Sequence, residues 1–217
     1  MRKLIENWKW QLAQKLEIRW WQQYLRNKDV NEYLQAKKAY WQRVLETINL
    51  KVPDQSLVLD AGCGPAGVFM VLPDQKVMAI DPLLEQYKNK NHHFNPLNYP
   101  WTTFKRLGLE ELDIKNHFDY VFCLNVINHV KDIDRALDNL VNATKSGATL
   151  VLSIDVHRYN SLKKIFQFLP GDVLHPHQYN RTDYKAMLEK RDCHLLQSHC
   201  LKSGNIFDYW ILVARCP

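Results

Sequence analysis

The chain has 217 residues, 46% of them hydrophobic and 24% charged, with 29 Lys and Arg against 23 Asp and Glu for a net charge of +6. That length suits one core with an appendage, and that composition is ordinary for a globular protein. No apolar run approaches the ~20 residues that cross a bilayer, which excludes stable membrane insertion by a helix, and the five scattered cysteines form neither a CxxC pair nor a disulfide framework.

Residues 3–49 read as helix. Leu4, Trp8, Leu12, Leu16 and Trp20 recur every four residues, and neither glycine nor proline occurs before Pro53. Asn27-Lys28-Asp29 is the expected break, with Asp29 capping a second helix from Val30 to about Ile48. This stretch holds five of the seven tryptophans and ten Lys/Arg against five Asp/Glu. Such a bias suits an anionic substrate or surface, or a solvated helix face. The segment Met1–Trp8 lacks the apolar run of a secretory signal, so a cytoplasmic location is expected.

From Ser56 on, strands are predicted near 56–60, 76–80, 103–107, 119–124 and 148–154, and helices near 66–71, 83–90, 132–144 and 181–190. Val121–Leu124 and Thr149–Ile154 are continuous apolar runs, as strands buried on both faces should be. Ile133, Ala136, Leu137, Leu140 and Val141 share one stripe, and Gly147 is placed to end that helix. Residues 194–201 and 207–214 read as a hairpin around Ser203-Gly204-Asn205. The sum is a three-layer α/β sandwich on a largely parallel sheet, finished by an antiparallel hairpin and preceded by a helical extension over residues 1–50. Cys193-His194 and His199-Cys200 lack metal spacing and read as thiols and imidazoles on a pair of late strands, so no metal site is expected.

The run Leu57–Gly67 carries the chemistry. An apolar strand ends in Asp60, and Gly62 and Gly64 follow in a turn whose main chain can approach a ligand closely. The next apolar run ends in Asp81, 21 residues after Asp60. That spacing puts an acid at the neighbouring strand's tip, within reach of a ribose. Gly62, Gly64 and Gly67 also fit the GxGxxG pattern of dinucleotide sites. Against that, Asp60 would bring a negative charge towards a pyrophosphate, and no second catalytic domain follows the sheet.

The blocks Asp60–Gly67, Asp81 and Phe118–Val130, in this order, resemble class I S-adenosylmethionine-dependent methyltransferases. The resemblance covers about residues 53–155 and implies a Rossmann-like sheet of seven strands over residues 51–217. It implies that Asp60, Ala61, Gly62, Cys63 and Gly64 hold the methionine part of the cofactor, with turn amides at a helix start on its carboxylate. It implies that Asp81, followed by Pro82, accepts from both ribose hydroxyls. Leu109 and Glu110 would lie beside the adenine and Asn125 on the methionine side. One departure is Ala66, where many members have glycine.

The same resemblance implies methyl transfer to an acceptor, with S-adenosylhomocysteine as product. His129 would sit near the transferable methyl and is the first candidate for a base, or else packs against the cofactor. His157, Asp155, His175 and His177 are further candidates for the acceptor pocket. Trp20, Trp21, Tyr24, Tyr40 and Trp41 would form a lid, or else pack on the helices or on a second copy in a homodimer. The strand ending Leu124-Asn125-Val126-Ile127 carries no Asn/Asp-Pro-Pro-Tyr/Phe run, and the chain has no Pro-Cys pair. A small-molecule acceptor is therefore expected rather than a nucleic acid. A nicotinamide-dependent oxidoreductase and a non-catalytic S-adenosylmethionine-binding protein are the alternatives.

Overall fold

The computed structural model describes residues 2–90, 92–157, 179–204 and 207–217, with side chains from Gln14 onward and without those of His157 and Phe207. Two helices come first, α1 (Arg2–Leu25) and α2 (Val30–Thr47). The Asp29 carboxylate accepts the Glu32 amide at 2.9 Å and caps α2. Then follow β1 (Leu57–Ala61), β2 (Lys76–Ile80), α3 (Leu84–Lys90), β3 (Thr102–Lys105), β4 (Phe118–Cys123), α4 (Ile133–Ala143), β5 (Thr144–His157), α5 (Arg181–Glu189), β6 (His194–Ser203) and β7 (Phe207–Arg215).

The strands form one sheet in the order β3-β2-β1-β4-β5-β7-β6. Strands β1 to β5 pair in parallel, and β7 runs antiparallel between β5 and β6. Chain order reverses beside β1, which opens a crevice above the carboxyl ends of β1, β2 and β4. Alternate side chains feed two cores. Val58, Phe122, Val151 and Val213 join α1, α2 and α3 on one face. Leu59, Val121, Leu150 and Leu212 join α4 and α5 on the other. This period of two, with helices on both faces, makes the three layers. Asp119 ties three strands together, accepting the Leu57 amide at 2.8 Å and the Lys145 ammonium at 2.7 Å.

Four local expectations are corrected. The helix near 66–71 is only a four-residue 3₁₀ turn, Val68–Val71. Asp60 takes the Phe69 amide at 3.0 Å, and Pro73 follows too soon for an α-helix. Gly147 does not end α4. The helix stops at Ala143, with Thr144 Oγ1 donating to the Leu140 carbonyl at 2.8 Å. Gly147 lies inside β5 at φ +74, donating its amide to Cys216. Among the described side chains the four-residue spacing does not mark the buried face of α1, since each such step overshoots a turn by about 40°. Ile18 and Leu25 are buried while Trp20 is 50% exposed. Finally, His194, His199 and Cys200 share β6 rather than a pair of strands, and the Cys193 thiol meets Cys216 at 3.5 Å. Among the described residues no helix is long and apolar enough to cross a membrane.

Candidate active site

The turn after β1 is shaped from below. Gly62 stands at φ +75 and Gly64 at φ +55, where a side chain is strained. A Cβ on Gly62 would run into the Val126 side chain, whereas one on Gly64 would meet nothing within 4 Å. The amides of Gly62 and Cys63 both donate to the Ile80 carbonyl, at 2.7 and 3.0 Å, which folds the turn onto the end of β2. A Cβ on Gly67 would strike the Asp60 carboxylate and the Cys63 carbonyl. Gly67 is therefore fixed by close packing.

Asp60 and Asp81, the two acids singled out from sequence, occupy different places. Asp60 is 2% exposed and is not part of the cavity wall. Its carboxylate lies beneath the turn and accepts the Phe69 amide. Ala61, fully buried, lies there too and is likewise outside the wall. Asp81 reaches the wall, with Oδ2 accepting the Gly64 amide at 3.0 Å and Oδ1 the Leu83 amide at 2.8 Å. Burial pushes Asp60 up to about 7, against the Phe69 and Val68 amides. Burial, and next the charge of Glu17, push Asp81 up to about 7 against the Leu83 and Gly64 amides.

The turn opens on a cavity of about 580 Å³, within the roughly 300–1,000 Å³ of ligand sites. Gly62, Cys63, Gly64, Asp81 and Pro82 line one end. Leu109 and Glu110 line it from the turn after β3. There Glu110 accepts the Lys131 amide at 2.7 Å and so ties the β3 and β4 loops together. Asn125 lines it past β4 at φ +60, a left-handed position that Asn tolerates. Its amide donates to Ser153 Oγ at 2.6 Å.

His129 is also in the wall, at the end of the 3₁₀ turn Ile127–His129. The buried Asn128 beside it donates to the Asp155 carbonyl at 3.4 Å and accepts the Tyr184 hydroxyl, binding that turn to β5 and α5. His157 ends β5, but its side chain is outside the described residues, as are His175 and His177. Asp155 faces the cavity.

From the N-terminal helices, Trp20, Trp21, Tyr24, Tyr40 and Trp41 all line the cavity. Other wall groups were missed from sequence, among them Glu17, Tyr209 and Lys37. Tyr209 on β7 sits opposite Asp155 in the β5–β7 ladder and shares a 2.6 Å hydrogen bond with Ser153. No local pattern gives that antiparallel register. Lys37 lies on α2 between Tyr33 and Tyr40. Its signal was legible in principle, since residues three and four apart share a helix face.

This wall fits an adenosyl sulfonium ligand. Each Asp81 oxygen spends one lone pair on an amide and keeps a second for a ribose hydroxyl. The open space over Gly64 lets the ligand come close to the main chain.

A family model described as methyltransferase domain matches residues 30–198. A ubiquinone biosynthesis O-methyltransferase of Rickettsia typhi is 33% identical over 135 residues, covering 58% of this chain and 50% of that protein. A malonyl-(acyl-carrier protein) O-methyltransferase of Acetivibrio thermocellus is 25% identical over 134 residues, covering 60% of this chain and 46% of that protein. The chain thus spans about half the length of the curated relatives it matches. Magnesium protoporphyrin IX methyltransferase of Synechocystis, solved with bound S-adenosylhomocysteine, superposes with a TM-score of 0.64 at 18% identity, covering 100% of both chains. That likeness is one of fold. The family match takes in well over half of the chain and falls on a sheet of this strand order, so the chain belongs to the methyltransferase-domain family, of the class I S-adenosylmethionine-dependent type.

Proposed function

We propose that the chain transfers the methyl group of S-adenosylmethionine to an oxygen atom of a small-molecule acceptor. The observation that carries this reading is the placement of Asp81. A buried carboxylate with spare acceptor capacity stands beside a positive-φ glycine turn, in the wall of one cavity. The O-methyltransferases among the relatives support oxygen as the atom methylated.

When bound, the cofactor supplies an electrophilic methyl on a sulfonium. Residues of the chain do the rest. Asp81 accepts from the ribose diol, and Leu109 and Glu110 flank the base. Gly62, Cys63 and Gly64 bring the main chain to the methionine end, opposite Asn125. Asp60 acts from beneath, holding the Val68–Val71 turn rather than touching the ligand. His129, on a turn anchored by Asn128, takes the proton from the acceptor hydroxyl. Positioned general bases contribute about 10²–10⁴ in rate. Tyr40 holds its proton, since burial pushes its phenol up, and donates a hydrogen bond to the acceptor, while Tyr209, also pushed up by burial, spends its own proton on Tyr40 and holds that phenol in place. Helices α1 and α2 close the aromatic side of the cavity and exclude water.

A dinucleotide-dependent oxidoreductase is disfavoured by the corrected turn. A pyrophosphate is held at the start of a real helix, and here only a four-residue 3₁₀ turn follows the glycines, which also corrects the helix-start amides expected on the methionine carboxylate.

The test is S-adenosylhomocysteine formation from S-adenosylmethionine across a panel of phenols and hydroxy acids, with wild type and His129→Ala. The reading expects turnover on at least one acceptor, lowered about 10²-fold or more in His129→Ala with cofactor affinity unchanged. No turnover on any acceptor, with no cofactor binding, would remove the reading.

A further inference from the structure

The two ends of the cavity differ in charge. Glu17, Asp81 and Glu110 are carboxylates of the cofactor end, where Glu17 raises Asp81 and accepts the Tyr87 hydroxyl at 3.2 Å. Asp155, further along, bears on the phenols of Tyr40 and Tyr209. Lys37 stands apart from these. Its ammonium lies 5.9 Å from the Tyr33 ring centroid and 5.6 Å from that of Tyr40. Among the described residues it donates no hydrogen bond and meets no carboxylate within ion-pair distance. The charge that bears on it is a like one, from Lys28, whose own ammonium sits 4.3 Å over Tyr24.

This is a costly arrangement. Burial first, and Lys28 next, pull the Lys37 ammonium below its ordinary pKa. Ring faces at these distances offset little of the lost hydration. An anionic group in the cavity would offset far more, through a charge-assisted hydrogen bond in a partly dry site. Beside Lys37 the wall is aromatic: Trp21, Tyr40 and Trp41 line it, and Trp20 and Tyr24 stack at 4.8 Å and 7° near its mouth. Trp20 stays 50% exposed and Tyr24 40%, so this stacked pair keeps apolar surface open to solvent beside the Lys28 ammonium.

From these positions we infer that Lys37 is the anion-recognising residue of the acceptor site, and that the methyl acceptor is an acidic small molecule with a flat apolar body. Its carboxylate or phosphate lies on Lys37, and its body packs against Trp21, Tyr40 and Trp41. Lys37 thus sets specificity without touching the methyl group. The inference rests on the methyltransferase reading for the word acceptor, though not for the anion site itself.

The experiment is calorimetry on the full chain saturated with S-adenosylhomocysteine. The probes are matched pairs: 2-naphthoate with 2-naphthamide, 4-hydroxybenzoate with 4-hydroxybenzamide, and phenyl phosphate with phenol. A cationic arm uses 2-naphthylmethylamine. At least one acid should bind about tenfold or more tighter than its neutral partner. Whichever pair shows the preference identifies carboxylate or phosphate as the anion. Lys37→Met should erase the preference while leaving S-adenosylhomocysteine affinity and thermal unfolding near wild type, and Lys37→Arg should retain it. The inference is overturned if no acid exceeds its neutral partner, if the amine binds best, or if the preference survives in Lys37→Met. Failure of S-adenosylhomocysteine to bind would sink the methyltransferase reading alone, because the acid–amide comparison on the ligand-free chain still decides the role of Lys37.

Discussion

The indole N–H of Trp41 donates to the Ala66 carbonyl at 2.8 Å. Trp41 is on α2, and Ala66 belongs to the turn that follows β1. One hydrogen bond therefore joins the aromatic side of the cavity to the glycine cradle. Both residues are buried, so the bond is shielded from water and its loss would strand a carbonyl.

Trp41→Phe removes that donor and leaves most of the ring. We expect a loss of about 1–3 kcal/mol in stability, with S-adenosylhomocysteine binding several-fold weaker because the cradle loosens. Denaturant unfolding and calorimetry on the same samples check both. Unchanged cofactor affinity in a destabilised variant would show that α2 and the turn are not coupled.

The three glycines of the turn are not equivalent. Gly62→Ala combines a left-handed φ with a collision against Val126 and should cost about 1–3 kcal/mol. Gly64→Ala faces open space and carries only its φ, about 1–2 kcal/mol. Adding Val126→Ala should recover part of the Gly62→Ala loss and none of the Gly64→Ala loss. A double-mutant cycle by thermal unfolding measures this, and equal recovery in both would contradict the packing described.

Asp60 and Asp81 both have native pKa values raised from 3.8 to about 7. Between about pH 4 and pH 7 the folded chain keeps protons that the unfolded chain has released. Ligand-free stability from these groups is full below that window and is lost as pH rises through about 7. Cofactor binding runs the other way, since a diol donates best to an ionised Asp81, so affinity should rise as pH rises from 6 to 8. Unfolding and calorimetric titrations at several pH values test both slopes, each read as wild type minus Asp81→Asn. A stability difference that grows with pH would contradict the assignment.

Helices α1 and α2 should differ when removed. Val44 and Trp41 of α2 pack in the same core as Val58 and Phe122, and the family match begins at residue 30. Deleting residues 1–28 should leave a folded domain with a wider cavity, lower turnover and a raised KM for the acceptor. Deleting residues 1–50 should prevent folding. Circular dichroism and unfolding curves of the two truncations decide this. A folded, cofactor-binding product of the longer deletion would contradict the placement of α2 in the core.

Much of the fold was legible because apolar runs report burial on both faces. The strands at 119–124 and 148–154 and the α4 stripe of Ile133, Leu137 and Leu140 came from that rule and from helical periodicity. The Asp29 cap was legible because a single side chain makes it. What could not be read depended on distant partners. Asp60 turns beneath the loop because Gly67 packs upon it and Phe69 supplies an amide, neither of which a strand-end acid announces. Tyr209 enters the cavity wall through a ladder register set across the sheet. Gly147 looked like a helix end because the bulge it serves forms with Cys216, 69 residues later.

The most direct measurement compares heats of binding for S-adenosylhomocysteine and for NAD(H), on wild type and on Asp81→Asn. The account predicts binding of the nucleoside thioether by wild type, a loss of about tenfold or more in Asp81→Asn, and no measurable heat with the dinucleotide. Binding of NAD(H) with none of S-adenosylhomocysteine would contradict it.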